Sequence, residues 1–238
     1  MERLDKILSN LGYGTRKEIK AIVKQGMVEV DNLVIKDSAT KIDPNINRIK
    51  IAGETVIYRK YIYIMMNKPD GVVSATFDKH DQTVIDLLEP EHQAFNPFPV
   101  GRLDKDTVGL LLITNDGSLN HKLISPKKHI DKVYYAEINK KVTKEDVEAF
   151  EKGITLDDGY KCLPGILEIL NADEECSKVK VTIHEGKFHQ VKRMFESLGK
   201  SVVYLKRIEF GGLILDSDLD EGQYRELTHN ETKSLKYS

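Results

Sequence analysis

The sequence predicts an α+β protein with a small N-terminal head and a larger body built on a mixed, mainly antiparallel sheet. Three observations carry this. Two stretches of helical apolar spacing open the chain and give way to short alternating runs. Past residue 60, strand-length apolar runs and helical stretches mix without the regular strand–helix alternation of a parallel sheet. Several of those runs are neighbours in sequence, as antiparallel partners usually are. A length of 238 residues suits one small and one medium domain. The division falls at 1–57 and 61–238, because Tyr58-Arg59-Lys60 precedes a fresh strand.

In the head, Leu4, Ile7, Leu8 and Leu11 predict an amphipathic helix over 2–11, ended by Gly12 and Gly14. Thr15 and Glu18 have capping-box spacing and open a second helix. Its stripe is Ile19, Ile22 and Val23, and Gly26 stops it. Met27 to Val30 alternates as a strand, Asp31-Asn32 turns, and Leu33 to Ile35 returns. Asn47 to Ile51 is another strand, with Arg48 and Lys50 opposite Ile49 and Ile51. Lys17, Lys20 and Lys24 share one face of the second helix, with Arg16 beside Lys20. Such a face is either a solvated surface or a ridge that follows phosphates.

In the body, Tyr61 to Met66 reads as a strand, Lys68-Pro69-Asp70-Gly71 as a turn, and Thr83 to Leu88 as a short helix. The stretch Pro99 to Gly117 organises the rest. Gly101-Arg102-Leu103-Asp104-Lys105-Asp106-Thr107 is polar and turn-rich, and leads into a buried strand, Leu110 to Ile113, closed by Asn115-Asp116-Gly117. A polar loop held by a buried strand is a favoured place for chemistry, and Asp104 stands in it. An aspartate there also commonly bonds its own backbone. Leu119 to Ile124 is a helix broken at Ser125-Pro126, and Lys132 to Ile138 a strand carrying Tyr134. Val142 to Lys152 is a helix with Thr143 and Asp146 at capping-box spacing. Gly159 to Leu170 and Lys178 to Ile183 give two more strands. Glu185-Gly186-Lys187 turns into a helix that starts on Lys192 and Arg193 and ends at Leu198-Gly199. Positive charge at a helix start opposes the dipole, which points to a role beyond stability.

Composition bounds the class. Hydrophobic residues make up 40%, enough for a core, and charged residues 31%. The net charge is -2, yet the first 60 residues hold 12 Lys and Arg against 8 Asp and Glu, leaving 24 against 30 elsewhere. A basic head on an acidic body suits an anionic partner gripped by the head. Cys162 and Cys176 lie in no metal-ligand spacing and read as free thiols. No leader-like or membrane-spanning run appears, so a cytoplasmic location is expected.

The string GRLD, two residues, then T-x-GLLL-x-T-NDG resembles the signature of RsuA-like RNA pseudouridine synthases. The resemblance implies that Asp104 is the catalytic carboxylate. It extends to Asn67-Lys68-Pro69-x-Gly71, to Lys132-x-Tyr134, where the family has its active-site tyrosine, and to His189-Gln190-Val191-Lys192. The family's basic residue falls on Lys192, with Arg193 the second candidate. Without the resemblance, Tyr134 would read as a packed strand tyrosine. The tail, Leu219 to Leu227, is similar to the family's closing strand. The head resembles an S4 RNA-binding domain through Arg3-Leu4-Asp5, Gly12, Thr15-Arg16 and Gly26-Met27-Val28-Glu29-Val30-Asp31.

The expectation that follows is an S4 head joined to a pseudouridine synthase fold. It would isomerise a uridine of ribosomal RNA, in the small-subunit branch, as a monomer working on rRNA or an assembling small subunit. Isomerisation oxidises nothing and donates no group, so no cofactor or metal is expected. Asp104, Tyr134 and Lys192 form the expected catalytic set. Arg102, Arg193, Arg3, Arg16, Lys17, Lys20 and Lys24 are the expected RNA contacts. A large-subunit enzyme, a non-catalytic ribosome-assembly protein, and a hydrolase using Asp104 with Asp106 are the alternatives.

Overall fold

The computed structural model describes residues 1–125 and 128–237. The chain forms two compact units, Met1–Ile62 with Leu88–Pro97, and Tyr63–Leu87 with Phe98–Ser238.

In the first unit, β1 (Glu2–Arg3) pairs with β4 (Lys41–Ile42), while α1 (Leu4–Asn10) and α2 (Arg16–Gln25) follow β1. β2 (Val28–Val30), β3 (Leu33–Val34), β5 (Ile49–Ile51) and β6 (Glu54–Thr55) form an antiparallel sheet in the order β3-β2-β5-β6. The capping box is made: the Thr15 hydroxyl accepts from the Glu18 amide and the Glu18 carboxylate accepts from the Thr15 amide at 2.7 Å. Gly26 closes α2 in the left-handed conformation. Asp31 and Asn32 both have positive φ and form the expected turn. Leu4, Leu8, Ile19, Val23, Val28 and Ile49 share one core. The short helix α3 (Pro90–Gln93) belongs to this unit. A Cβ at Gly12 would sit 3.3 Å from that of Ala94, so the glycine makes room for this packing. The sequence pattern alone places 88–97 in the body, because composition does not register the excursion.

The second unit is a nine-stranded sheet. Its strands are β7 (Tyr63–Lys68), β8 (Phe98–Pro99), β9 (Val108–Thr114), β10 (Lys132–Ile138), β11 (Ile166–Ala172), β12 (Ser177–Ile183), β13 (Val202–Phe210), β14 (Leu213–Ile214) and β15 (Tyr224–Glu226). The order is β11-β12-β10-β13-β9-β7-β15, with β14 on β13 and β8 on β9. Every pairing is antiparallel except β13 with β9. Helices α4 (Gly117–Ile124), α5 (Lys144–Lys152), α6 (Gln190–Ser197) and α7 (His229–Tyr237) complete the unit. All seven residues of β9 are buried.

Four expectations need correction or completion. Thr83 to Leu88 is not a helix. The Asp86 carboxylate accepts from both the amide and the hydroxyl of Thr83 at 2.8 Å, closing a single turn. Extended Glu89, which precedes Pro90, prevents continuation. The strand expected from Gly159 begins only at Ile166, since Gly159 turns the chain at positive φ. Asp146 accepts from the Thr143 amide at 2.8 Å, so the shorter acid still closes the reciprocal cap bond. Ser125 caps α4, while Pro126 lies outside the described residues.

The parallel pairing of β9 with β13 depends on Gly109. Its φ is +100°, and a Cβ there would lie 2.3 Å from the Arg207 carbonyl oxygen and 2.9 Å from the Arg207 nitrogen, both rigid backbone. Gly109→Ala should therefore destabilise the protein by roughly 2–4 kcal/mol. Urea unfolding measures this, and a loss below about 0.5 kcal/mol, the level of an ordinary surface change, would show that the strands do not approach so closely.

The α7 helix docks through Arg225, whose Nη2 and Nη1 reach Glu231 at 2.8 and 2.9 Å while its Nε reaches Asp216 at 2.6 Å. The Arg225 hydrogen bond holds the Glu231 carboxyl down at about 2. A depressed carboxyl stabilises the fold above its unfolded value and loses that contribution as pH falls through the folded one. The stability gap between wild type and Glu231→Gln, about 1 kcal/mol at neutral pH, should narrow as pH falls below about 4.5. A gap independent of pH in acid titrations would argue against this pairing.

Candidate active site

The loop 101–107 runs from β8 into β9, and its shape is set from beneath by Lys68, the last residue of β7. This lysine is fully buried. Its Nζ donates to the carbonyl oxygens of Pro69, Lys105 and Thr107, each at 3.0 Å. Burial pushes the ammonium down to about 8, and Asp70, Asp106 and Asp104 oppose that shift. The Ser74 hydroxyl donates to the Leu103 carbonyl at 3.0 Å and accepts from the Leu103 amide at 3.1 Å. The Gly71 amide donates to the Lys105 carbonyl, and the Thr107 amide donates to that of Asp104. Backbone groups on both sides of Asp104 are thus fixed, leaving its side chain to project.

That side chain lines a cavity of about 760 Å³, together with Tyr134, Lys132, His189 and Arg207. The volume is ample for a nucleoside. Asp104 is half-buried, with its side chain 29% exposed. Lys192 Nζ lies 3.9 Å from Asp104 Oδ2 and 2.5 Å from Asp106 Oδ1. The lysine thus bonds Asp106 directly, holding that carboxyl below its usual range, and faces Asp104 as a neighbouring charge. Arg193 points elsewhere and binds Asp157 and Asp158, the latter at 2.7 Å. Of the two cations weighed for Asp104, the geometry brings in Lys192 and removes Arg193. The reason is helical: adjacent residues diverge by about 100°.

Tyr134 is buried in β10 and registers against Arg207 of β13, just after a β-bulge. Burial raises the phenol's pKa, while the Arg207 guanidinium opposes it by charge and hydrogen bond. His189 places Nε2 3.7 Å from Asp104 Oδ1 and stacks on Phe188 with ring centroids 3.8 Å apart. His189 caps α6 at φ 48°, a left-handed conformation unusual for a side-chain-bearing residue. Gln190 is buried, accepting from the Lys187 amide at 2.9 Å and donating to Glu185 at 2.8 Å. Glu185 also accepts from the Tyr160 hydroxyl at 2.7 Å and the Leu163 amide at 2.9 Å. Arg102 is exposed and lines the same cavity.

In the first unit, Arg16, Lys17, Lys20 and Lys24 are exposed along α2. Arg3 is engaged by Asp5 through two hydrogen bonds, of 3.0 and 2.5 Å.

The family model for RNA pseudouridylate synthases matches residues 62–197, and the S4 domain model matches 2–45. The chain belongs to the RNA pseudouridine synthase family. It is 51% identical to an uncharacterized RNA pseudouridine synthase of Bacillus subtilis, over 98% of both chains. It is 38% identical to the ribosomal large subunit pseudouridine synthase B of the same organism, over 99% of this chain and 96% of that one. It is 41% identical to the ribosomal small subunit pseudouridine synthase A of Vibrio cholerae, over 98% of this chain and 99% of that one. A crystal structure of a pseudouridylate synthase superposes with a TM-score of 0.69 at 34% identity, covering 99% of this chain and all of that one. The S4 head and the synthase fold are therefore those the sequence motifs implied.

The synthase site holds three residues that sequence reasoning passed over. Lys68 stood in the Asn67-Lys68-Pro69-x-Gly71 string and at the start of a turn with no role given to it, although a lysine closing an apolar strand is a signal in itself. His189 lay inside a quoted motif. Arg207 lies in a strand whose charged residues hid its pattern.

Lys68→Met would take a donor from three carbonyls, of which that of Lys105 keeps the Gly71 amide while those of Pro69 and Thr107 lose the bond that Lys68 makes. It should lower stability by roughly 2–4 kcal/mol and reduce turnover about tenfold or more through misplacement of Asp104. Melting and single-turnover assays test this, and a variant of normal rate would show that the loop holds its shape unaided.

Proposed function

We propose that this synthase isomerises a uridine of small-subunit ribosomal RNA, free or in an assembling particle, acting in the cytoplasm as a monomer without metal or cofactor. The observation that carries the chemistry is the half-buried Asp104 carboxylate on a fixed loop, sharing one cavity with Tyr134 and flanked by Lys192 and His189. The small-subunit assignment rests on the motif resemblance; the small subunit synthases A of Vibrio cholerae and Escherichia coli, at 41% and 35% identity, stand either side of the large subunit synthase B of Bacillus subtilis at 38%.

In this reading a uridine leaves its helix and enters the cavity, at an unstacking cost of a few kcal/mol. Asp104 acts at the ribose, where its charge promotes departure of the base from C1′. Lys192 keeps that corner of the site cationic, His189 lies beside it, and Tyr134 serves the proton transfers that follow. Arg102 fills the place of the extruded nucleotide or holds a phosphate. Arg16, Lys17, Lys20 and Lys24 track the RNA backbone by charge and shape. Arg3 contributes through its exposed edge, its fork being shared with Asp5. Arg193 is committed to Asp157 and Asp158 and is left out of the contact set.

Asp104→Asn should keep the fold and RNA affinity while lowering product formation by about 10³-fold or more. The test is pseudouridine mapping in both rRNAs of cells lacking the protein, with wild type or Asp104→Asn restored. A site lost from large-subunit rRNA would reassign the branch. Normal modification by the variant would overturn the role of Asp104.

A further inference from the structure

Arg207 is the least accounted-for charge in the protein. It is 2% exposed, its Nε donates to the Leu110 carbonyl at 2.8 Å, and its guanidinium lies 4.7 Å from the Phe210 ring centroid. Its Nη2 is buried and has no hydrogen-bond partner. Among the described residues no carboxylate is paired with it, and its neighbour across the strand pair is Tyr134, which lines the same cavity. A buried cation without a counter-ion is costly and needs a reason. Structural arginines in cores are neutralised, whereas this one is left with charge and a donor to spare beside a residue of the active cavity. The sequence also spends a glycine, Gly109, to bring the Arg207 backbone against β9.

We propose that Arg207 is a positioning residue for the isomerisation, holding the Tyr134 oxygen in place and steadying it as a phenolate while that oxygen carries the proton from C5 to N1 of the base. The proposal rests on the reading of the site given above. Once the base has been rejoined to C1′ through C5, the ring holds an N1=C6 double bond and C5 bears both hydrogen and ribose. Tyr134 gives its hydroxyl proton to N1. The C5–H bond then breaks, its proton passes to the phenolate oxygen, its electron pair forms C5=C6, and the N1=C6 π pair returns to N1. Tyr134 ends as it began, and the net change is one hydrogen from C5 to N1. Both atoms are bonded to C6, so one hydroxyl reaches both. Between the two transfers the phenolate is buried, with Asp104 of the loop raising its energy and Lys132 of the same strand pressing on Arg207. Arg207 is the group placed to offset this, and its missing carboxylate leaves its charge free to do so.

The test uses the full-length protein and rRNA transcripts carrying uridine or 5-deuteriouridine. Arg207→Gln should lower kcat about 10- to 100-fold, with KM little changed, and should make C5–H cleavage rate-limiting, so that a deuterium effect on kcat appears or grows. Arg207→Lys, which keeps the charge, should recover most of the rate. In a Tyr134→Phe background Arg207→Gln should cause no further loss, as expected for a residue acting through the phenol. If Arg207→Gln fails to fold, the Arg207→Lys rate and isotope effect and the Tyr134→Phe, Arg207→Lys pair decide in the same way. An unchanged isotope effect beside a lowered rate, or an equal loss with and without the Tyr134 hydroxyl, would overturn the role of Arg207 alone. Absence of wild-type turnover on both rRNAs would overturn the site reading as well.

Discussion

One buried ammonium determines where the Asp104 carboxylate stands. Lys68 satisfies three backbone carbonyls, two of them from the loop that bears Asp104, at residues far from it in sequence. A loop closed over a polar cavity carries backbone groups that water no longer serves, and each needs a partner. A side chain with three donors on one nitrogen meets that need compactly. The same bonds that make the loop stable make it rigid, and Asp104 inherits a fixed direction without contributing a side-chain bond of its own. Stability and chemistry are therefore served by different atoms of one seven-residue segment.

The electrostatics of the cavity follow a similar division. Lys192 is bonded tightly to Asp106 and stands 1.4 Å farther from Asp104, at 3.9 against 2.5 Å. In the proposed mechanism a closer ion pair with Asp104 would tie up the oxygen that acts at the ribose. Pairing the lysine with the next carboxylate keeps a cation close while leaving Asp104 unligated. Lys192 stands beside Asp104 as expected, while its shorter bond goes to Asp106. Asp106, which first suggested a hydrolytic carboxylate pair, serves instead to anchor the lysine.

Much of this was legible from local sequence, and the rest was not, for identifiable reasons. The α2 cap is a four-residue pattern whose partners are adjacent, so Thr15 and Glu18 could be read directly. The strand of Leu110 to Ile113 is apolar on both faces because the sheet buries both, and a continuous run signals that. Lys68 and Arg207 are different. Their partners lie far away in sequence, Thr107 in the loop before β9 and Tyr134 on β10, and no local rule connects them. The β13 strand, with Lys206, Arg207 and Glu209 among its apolar residues, shows no clean alternation, because it buries an arginine for the sake of the cavity. The α7 helix is held by Arg225 and Glu231 and by one buried leucine, Leu235, too little apolar surface to give a stripe. Where the residue pattern serves the core, the sequence is readable. Where it serves the site, the pattern breaks.

The partial exposure of Asp104 fits this picture better than full burial would. A carboxylate buried in the empty cavity would be driven toward its neutral form by desolvation. At 29% exposure the side chain meets solvent, with His189 Nε2 at 3.7 Å and the Lys192 ammonium at 3.9 Å acting through a medium that screens charge. A nucleoside filling the cavity displaces that water. The same Lys192 distance would then act at lower effective dielectric, so its attraction would strengthen as hydration is lost. In the proposed reaction the charge would pass from solvent to protein as the base arrives. That exchange needs cations held near the carboxylate but not on it, and the division of Lys192 between Asp106 and Asp104 provides this.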